Sequence, residues 1–392
     1  MKRSAFTIFL LAILSTSLVQ DATSAPSLPA GTWIPNAFEI HIFDVNQGDS
    51  QLIIFPSGYT LLIDLGELSY TTDKNAVLIA SKIRELTGGS HINIGLITHL
   101  HMDHLGYVGH GGFWALIEEQ GITFDRIIDR DAGVWQDGYD GSEPDGVCNY
   151  ETEIIWHNAG DVTNTARKWL CYATNPANTL IYSWREIAQP SSTAQIDPPD
   201  PDVTVTIIQA DAADLMMADG TTPVAGDHTA DSIPPSENDY SIALKITYGE
   251  IDYVTAGDTD GEYYAGHDDD ENYYAYNDGE TLIVPRIVGP VELLRVNHHG
   301  SSHSSNQFYI DSLNPADAFI SCGSNTYGHP DQVVLDRLAT TSNVYLTNLC
   351  DPTRDYTGST IVNGDITVRS IDGLTYTVAY LQWVYLPLIN KP

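Results

Sequence analysis

The segment Thr98-His99-Leu100-His101-Met102-Asp103-His104-Leu105-Gly106 contains three histidines and an aspartate close together. It follows the apolar residues 92–98, a pattern that predicts a buried strand ending where the histidines begin. Imidazole and carboxylate groups are good zinc ligands. In an extended turn, His99 and His101 point to one side, whereas Asp103 and His104 turn towards a second point nearby. The spacing therefore predicts ligands for two adjacent metal ions.

Two further histidine segments also follow predicted strands. Asn297-His298-His299-Gly300-Ser301 comes directly after residues 292–296, and Tyr327-Gly328-His329-Pro330 lies in a loop after residues 318–321. Between the histidine motifs, Ala256-Gly257-Asp258 ends another strand, which makes Asp258 a candidate bridge between two metals. Two carboxylates against two divalent ions leave net positive charge, which favours a bound hydroxide and an anionic substrate.

The order of elements predicts a mixed α/β fold. Strands are expected at residues 38–45, 51–55, 60–64, 92–98, 126–129, 203–209, 241–248, 251–256, 292–296, 318–321 and 344–347, with a hairpin at 360–381. Helices are expected at residues 74–86, 112–120 and 332–338. Residues 130–200 are rich in Asp, Gly and Pro and are interpreted as a long insertion, with a helix near 163–188.

The N-terminus predicts export. Lys2 and Arg3 precede an apolar run at residues 5–18, and small residues follow at 22–25, as in a cleaved signal peptide covering residues 1–25. The run is short for a membrane span, so we expect a secreted, extracytoplasmic protein without stable membrane insertion; an uncleaved anchor is the alternative.

The four cysteines are consistent with an oxidising compartment. Pairing between neighbours in sequence would join Cys148 to Cys171 and Cys322 to Cys350, which is one of three possible connectivities.

The charge of the chain restricts its partners. Its 392 residues include 17 Lys and Arg against 52 Asp and Glu, a formal net charge of −35. Strong nonspecific nucleic-acid binding and docking on an anionic membrane both need basic residues, so both are disfavoured. An enzyme that handles phosphate is not excluded, because bound metal ions can supply positive charge locally.

Taken in order, the motifs resemble those of the metallo-β-lactamase fold superfamily, and most closely the metallo-hydrolase domain of ComEC competence proteins and its free-standing secreted relatives. The matching segments are Phe43-Asp44-Val45-Asn46-Gln47-Gly48-Asp49-Ser50, Leu62-Ile63-Asp64-Leu65-Gly66, residues 99–104, Asn238-Asp239-Tyr240-Ser241, Gly257-Asp258, residues 298–301 and Gly328-His329-Pro330. This resemblance implies an αββα sandwich, with the hydrolase domain at residues 38–350 and a C-terminal β extension at 351–392.

The resemblance also implies roles for single residues. One metal would take His99 and His101, the other would take Asp103 and His104, and Asp258 would bridge them. Either His298 or His299 would complete the second metal site, and the other would orient the substrate. The remaining implied roles are a substrate contact or proton donor at His329, a phosphate contact at Ser301, and orientation of the ligand histidines by Asp64 or Asp49. The two ions would be zinc, with manganese as the alternative.

The sequence departs from the superfamily pattern at one position. Many members have a histidine after the strand that corresponds to residues 203–209, whereas this chain has Ala210-Asp211-Ala212. Asp211 is one candidate for the extra ligand. His228 or His157 could also reach the site from a loop, or the first metal site could be open.

These observations predict a secreted dinuclear-metal hydrolase that cleaves a phosphodiester or phosphate ester by means of a metal-bridging hydroxide. Asp103, Asp258 and His329 would be its catalytic residues. The substrate would be a small-molecule or cell-wall phosphodiester, or DNA. The alternatives are a lactonase or β-lactamase type of hydrolase, and a non-enzymatic metal-binding surface module.

Overall fold

The structure, a computed structural model, describes residues 33–66, 75–217, 219–261 and 278–380. The predicted signal peptide at residues 1–25 lies outside these residues. Within the described ranges, every helix is too short or too polar to cross a membrane.

The first sheet carries the N-terminal motifs and has eight strands among the described residues, in the order β17-β16-β1-β2-β3-β4-β5-β8. Neighbouring pairs from β17 to β3 are antiparallel, and those from β3 to β8 are parallel. The strands are β1 (Phe38–Ile42), β2 (Gln51–Ile54), β3 (Thr60–Ile63), β4 (His91–Leu96), β5 (Thr123–Asp129), β8 (Arg185–Ile187), β16 (Ile366–Ser370) and β17 (Thr377–Tyr380).

The second sheet carries the later motifs and has seven strands among the described residues, in the order β15-β14-β13-β12-β11-β10-β9. Its strands run parallel from β11 to β15, and β9 to β11 are antiparallel. The strands are β9 (Val203–Gln209), β10 (Ala243–Tyr248), β11 (Ile251–Thr255), β12 (Leu293–Arg295), β13 (Asp317–Ile320), β14 (Asn343–Leu346) and β15 (Ser359–Ile361). A separate ribbon pairs β6 (Gly133–Trp135) with β7 (Ile154–Trp156).

Helices cover the outer faces of both sheets. They are α1 (Asn75–Thr87), α2 (Met102–Leu105), α3 (Gly112–Glu118), α4 (Asn164–Ala173), α5 (Thr179–Trp184), α6 (Gly279–Ile287), α7 (Gln307–Leu313) and α8 (Gln332–Leu338). Side chains of α1, α3 and α4 pack with the outer face of the first sheet, and those of α6, α7 and α8 pack with the outer face of the second.

A third apolar core lies between the sheets. It combines Ile40, Ile63 and Leu96 of the first sheet with Leu244 and Phe319 of the second, all without solvent exposure. Alternating side chains of each strand face this core, while their neighbours face the helices. This layering confirms the predicted αββα sandwich.

The C-terminal strands belong to the sandwich itself. β15 extends the second sheet beside β14, whereas β16 and β17 extend the first sheet beside β1. Residues 130–200 contribute β8 to the edge of the first sheet, next to β5. The domain boundaries at 350 and 351 stay predictions.

The structure differs from the sequence-based elements in several regions. The single helix expected near 163–188 is two short helices and a strand, because Asn175-Pro176 interrupts the helical path. Helices α2, α6 and α7 and the β6–β7 ribbon were not predicted, and α2 replaces part of the extended turn expected for the first histidine motif. Both disulfides suggested by local pairing, Cys148–Cys171 and Cys322–Cys350, are present.

Candidate metal centre

The candidate site lies where parallel strands of both sheets end. In the first sheet, β3 is followed by Asp64 and β4 leads to His99. In the second sheet, β11 leads to Asp258 and β12 leads to His299. The carboxyl ends of parallel strands are the usual place for ligands in α/β folds, because loops from several strands meet there.

Two other motif segments hold the backbone around Asp103. The Asp49 N–H donates to the Asp103 carbonyl at 2.9 Å, and the Leu65 N–H donates to the His104 carbonyl at 2.7 Å. A Cβ atom at Gly66 would lie 1.7 Å from the Asp103 carbonyl oxygen, so only glycine fits there. Main-chain bonds between the three motifs therefore fix Asp103 and His104.

Four side chains converge to form what we call the cluster: Asp103, His104, Asp258 and His299. One ligand atom from each lies within 4.8 Å of the others. His104 Nε2 is 3.2 Å from His299 Nε2 and 3.0 Å from Asp258 Oδ1. His299 Nε2 is 3.6 Å from Asp103 Oδ2 and 3.7 Å from Asp258 Oδ2. Three of the four are buried, and Asp103 is half-buried.

The donor chemistry of the cluster fits a metal ion. His104 Nδ1 donates to Asp64 Oδ2 at 2.7 Å, and His299 Nδ1 donates to the Ser321 carbonyl at 2.7 Å. With Nδ1 protonated, each ring presents Nε2 to the middle of the cluster. The two Nε2 atoms are only 3.2 Å apart and lie beside two carboxylates, so a proton or a metal ion must lie between them. Without a metal a proton takes this place, because the carboxylates of Asp258 and Asp64 outweigh burial and raise the pKa of His104 well above its ordinary value. A divalent metal held by nitrogen and oxygen ligands satisfies this requirement.

Three residues at the site have left-handed backbone conformations. The φ angle is 57° at Asp64, 49° at His298 and 50° at His299. A residue with a Cβ atom pays about 1–2 kcal/mol for this conformation. Strain of this kind persists where the surroundings impose it and concentrates at functional sites. At His298 and His299, the strained residues form the turn that brings the His299 ring beside His104.

Of the two histidines left open by the sequence, His299 joins the cluster. The ring of His298 turns towards Asp260, with Nδ1 2.8 Å from Asp260 Oδ1. Its edge lies 3.4 Å from the Asn238 amide nitrogen, and its Nε2 is 3.9 Å from Asp258 Oδ2. His298 therefore flanks the cluster, on the side of the Asp258 carboxylate.

His99 and His101 form a pair next to the cluster. His99 Nε2 and His101 Nδ1 are 3.1 Å apart, and the rings of His99 and His104 are centred 4.2 Å apart. Within the described residues, neither His99 nor His101 belongs to a group of three or more converging ligand atoms. The pair can thus supply two ligands to a first metal, and their ligand roles stay predictions.

The three candidates for an extra ligand have other partners. Asp211 accepts the Asp131 N–H at 2.8 Å, and burial raises its pKa to about 7. His228 bonds to Asp231 at 2.9 Å, and His157 bonds to Asp131 at 2.7 Å. In the part of the chain that the structure describes, none of the three joins a converging group of ligand atoms.

A buried arginine lies beneath the cluster. Arg295 Nε is 3.1 Å from Asp49 Oδ2, and its Nη1 is 3.6 Å from Asp258 Oδ1. Asp49 also accepts a hydrogen bond from the Ser321 hydroxyl at 2.8 Å. The backbone carbonyl of the same Ser321 accepts the Nδ1 proton of His299. Asp64 thus contacts a cluster histidine directly, whereas Asp49 acts on one through Ser321.

His329 lies on the outer side of His298. The centres of the two rings are 5.2 Å apart, and the exposed Tyr327 ring stacks on His329 at 5.9 Å. Burial lowers the pKa of His329 to about 3, helped by the nearby histidines, so this ring is neutral at physiological pH. Ser301 is fully buried, and its hydroxyl accepts the His303 N–H at 3.3 Å.

The cluster favours charged carboxylates. Burial alone would raise the pKa of Asp103 and Asp258, but the surrounding histidines hold both well below the usual range. Burial also lowers the pKa of His99, which keeps that ring neutral. Anionic carboxylates and neutral imidazoles are the forms that bind metal ions.

Asp64→Asn should weaken metal binding. Asparagine has one uncharged acceptor oxygen where aspartate has two that share a negative charge. It therefore holds the His104 Nδ1 proton less firmly, and His104 loses its fixed orientation. Such a loss of a partner behind a metal ligand typically lowers affinity by about 10–100-fold. Equilibrium dialysis measures the affinity for Zn²⁺. The control is Asp317→Asn, because Asp317 lies on β13 and accepts hydrogen bonds from Asn343 and Tyr376. Equal affinity in both variants would contradict this role of Asp64.

Glu280→Gln should flatten the pH dependence of stability. Burial raises the pKa of Glu280 from 4.5 to about 8, although backbone N–H groups of Asn306 and Ser305 donate to it, and Asp278 adds to the rise. Its contribution to the free energy of unfolding is complete below pH 4.5 and is lost as the pH rises through about 8.

Urea unfolding in the presence of a chelator, at several values between about pH 4.5 and 8, measures this slope. Glu292→Gln, which removes a carboxylate that accepts the Asp252 N–H, is the control. An unchanged slope in Glu280→Gln would show that this carboxyl does not titrate in that range.

Comparison with known proteins gives a partial sequence match. The chain is 33% identical to ComE operon protein 3 of Bacillus subtilis (strain 168) over 107 residues, which is 27% of this chain and 12% of that protein. The match thus spans about an eighth of the relative's length. No protein family model matches the chain.

Solved structures similar to the chain include metallo-β-lactamase superfamily hydrolases. Tm1679, a metal-dependent hydrolase of the β-lactamase superfamily, is 12% identical with a TM-score of 0.37, covering 79% of this chain and 95% of its own. Human tRNase Z, short form, is 11% identical with a TM-score of 0.36, covering 82% and 95%. CmlA, a diiron β-hydroxylase from Streptomyces venezuelae, is 13% identical with a TM-score of 0.38, covering 77% and 52%.

Several residues at the site were not predicted from the sequence. They are Arg295, Ser321 and Asp260. The sequence carried a signal for one of them, since Arg295 is a charged residue in an otherwise apolar strand directly before the two histidines. The others are common polar residues whose part in the site depends on the packing of the two sheets.

Proposed function

We propose that this protein is a metal-dependent hydrolase that cleaves a small phosphodiester or phosphate ester outside the cytoplasm. The observation that carries the proposal is the pair of buried imidazole nitrogens, His104 Nε2 and His299 Nε2, 3.2 Å apart between the carboxylates of Asp103 and Asp258. A metal ion would replace the proton that His104 otherwise carries beside these carboxylates. Zinc or manganese would suit these ligands.

The cluster residues would hold one ion, and His99 and His101 would hold another with Asp258 between them. When bound, such ions supply a water of lowered pKa and stabilise negative charge on the substrate. Asp64 and the Ser321 carbonyl keep the Nδ1 protons of His104 and His299 in place, so that both Nε2 atoms face the metal. The Arg295 guanidinium adds a positive charge 3.6 Å from the Asp258 carboxylate.

His298 and His329 would contact the substrate. Asp260 holds the Nδ1 proton of His298, and Nε2 lies on the side of Asp258, 3.9 Å from its Oδ2. The neutral His329 ring can donate one hydrogen bond to a phosphate oxygen but brings no charge. Ser301 is buried behind these rings and would support the loop rather than bind phosphate.

The acidic surface favours small substrates. With 17 basic residues against 52 acidic ones, attraction for an anion must come from the bound metals and from a few local groups. One such group is His298, because Asp260 and Asp258 outweigh burial and raise its pKa to about 9. A long nucleic acid would also meet repulsion from the rest of the surface. We therefore place small-molecule and cell-wall phosphodiesters ahead of DNA.

A panel of substrates with the metal-loaded protein tests this function. The panel holds bis-p-nitrophenyl phosphate, linear and plasmid DNA, a lactone and a β-lactam. We expect metal-dependent cleavage of the phosphodiester, with DNA cleaved more slowly. Cleavage of only the lactone or the β-lactam would contradict the proposal and would indicate an acyl hydrolase instead. Metal binding without turnover of any substrate would favour a non-enzymatic module.

A further inference from the structure

A buried ion pair lies outside the cluster and has no part in the function described so far. Arg130 and Glu237 are both almost completely buried. Arg130 Nε donates to Glu237 Oε1 at 2.6 Å, and its Nη2 donates to Glu237 Oε2. A buried ion pair contributes little net stability compared with apolar residues of the same volume. Its presence here calls for another role.

The carboxylate of this pair reaches the first histidine motif. Glu237 Oε1 also accepts the N–H of Leu100 at 2.9 Å. Leu100 is the residue between His99 and His101, whose ring nitrogens are 3.1 Å apart. The peptide that joins the two histidines is therefore fixed by a charged acceptor from another part of the chain.

The arginine is itself held in place. Its Nη1 donates to the Asn158 carbonyl at 2.5 Å, and its guanidinium lies 4.6 Å from the centre of the Tyr240 ring. Glu237 is thus oriented by a fixed, two-pronged donor. A hydrogen bond to an ionised acceptor is roughly twice as strong as a neutral one, which suits a group that must hold a loop.

The segment after Glu237 contacts the same region at further points. The Ile242 N–H donates to the Thr98 carbonyl at 2.9 Å, and Ser241 Oγ accepts the Asp258 N–H at 3.3 Å. These contacts give a role to the Asn238-Asp239-Tyr240-Ser241 motif, which the proposed function leaves without one. The motif joins the backbone of the first histidine segment to that of Asp258.

We propose that Glu237, oriented by Arg130, is a positioning residue that sets the geometry of His99 and His101 and so the metal affinity of that pair. This inference rests on the proposed function, because it requires the pair to bind metal. The pair lacks a third converging ligand in the described part of the chain, so its alignment matters more than that of the cluster.

A Zn²⁺ titration by equilibrium dialysis tests the inference on the full protein. His101→Ala identifies which class of bound ion belongs to the pair. Glu237→Gln should weaken that class by about 10–100-fold and leave the other class unchanged. Glu153→Gln is the matched control: Glu153 is also buried and accepts Trp135 and two backbone N–H groups, but contacts neither motif.

Two double variants keep the test valid if the single variant does not fold. Arg130→Met with Glu237→Leu removes both charges and the acceptor, whereas Arg130→Met with Glu237→Gln keeps an oxygen that can accept the Leu100 N–H. The leucine variant should lose the ion of the pair, and the glutamine variant should retain more of it.

The outcomes separate the two proposals. Selective loss of the ion identified by His101→Ala supports the positioning role. Unchanged binding in the Glu237 variants, or equal loss of both classes of ion, overturns that role and leaves the hydrolase proposal intact. A wild-type protein that binds no Zn²⁺ overturns both.

Discussion

Asp258→Asn is expected to abolish hydrolysis while leaving the fold intact. The substitution removes a negative charge that lies 3.0 Å from His104 Nε2 and 3.7 Å from His299 Nε2. Loss of one charge-stabilising group from a catalytic site typically costs about 10²–10³ in kcat. Because Asp258 would touch both metal ions, we expect a loss of at least this size, together with loss of bound metal.

The control for this variant is Asp252→Asn on β11, the strand that leads to Asp258. Asp252 forms an ion pair with Lys245 at 2.7 Å and accepts the Thr247 hydroxyl, away from the cluster. Activity should be unchanged in Asp252→Asn. Rates are measured with bis-p-nitrophenyl phosphate at saturating Zn²⁺, with circular dichroism to confirm the fold. A folded Asp258→Asn protein with wild-type activity would show that this carboxylate takes no part in the chemistry.

Arg295→Met is expected to destabilise the metal-free protein strongly. Arg295 is completely buried. Its guanidinium contacts the carboxylates of Asp49 and Asp258 and donates a hydrogen bond to the carbonyl of Gly257. Removing one partner from a buried ionic network costs about 3–5 kcal/mol, because the remaining charges are left uncompensated. Part of this loss should return when Zn²⁺ is added, since the ion would neutralise Asp258.

Arg126→Met supplies the matched comparison. Arg126 pairs with Glu186 at 3.1 Å, and both side chains are 36% exposed. An exposed pair is worth about 0–1 kcal/mol. Urea unfolding in the presence of a chelator gives both free energies. A similar, small loss in the two variants would mean that the charges beneath the cluster are not coupled through Arg295.

Much of the fold follows from local sequence patterns. Runs of apolar residues mark most strands within a few residues, since most strands of the sandwich face a core on both sides. Helix α6 is the clearest omission. It begins at Gly279, after an acidic, tyrosine-rich stretch of sequence, and it contains Pro285. A buried Glu280 and the apolar core stabilise it, and neither is visible in the local pattern.

The histidine motifs were predicted because their spacing is local. The choice between His298 and His299 was not predictable, because two left-handed residues in succession reverse the directions that the sequence spacing suggests. Asp211, His228 and His157 were reasonable candidates by residue type. The folded chain instead places them beside Arg130, Asp131 and Asp231. Residue type alone does not reveal these pairings.

The most direct test of the central claim is anomalous diffraction from crystals grown with Zn²⁺. The account predicts an anomalous peak at the cluster, about 2.0–2.2 Å from the Nε2 atoms of His104 and His299 and from carboxylate oxygens of Asp103 and Asp258. Crystals of Asp258→Asn should lose most of that peak. A peak only at surface carboxylates, or an empty cluster at saturating Zn²⁺, would contradict the assignment of these four residues as a metal centre.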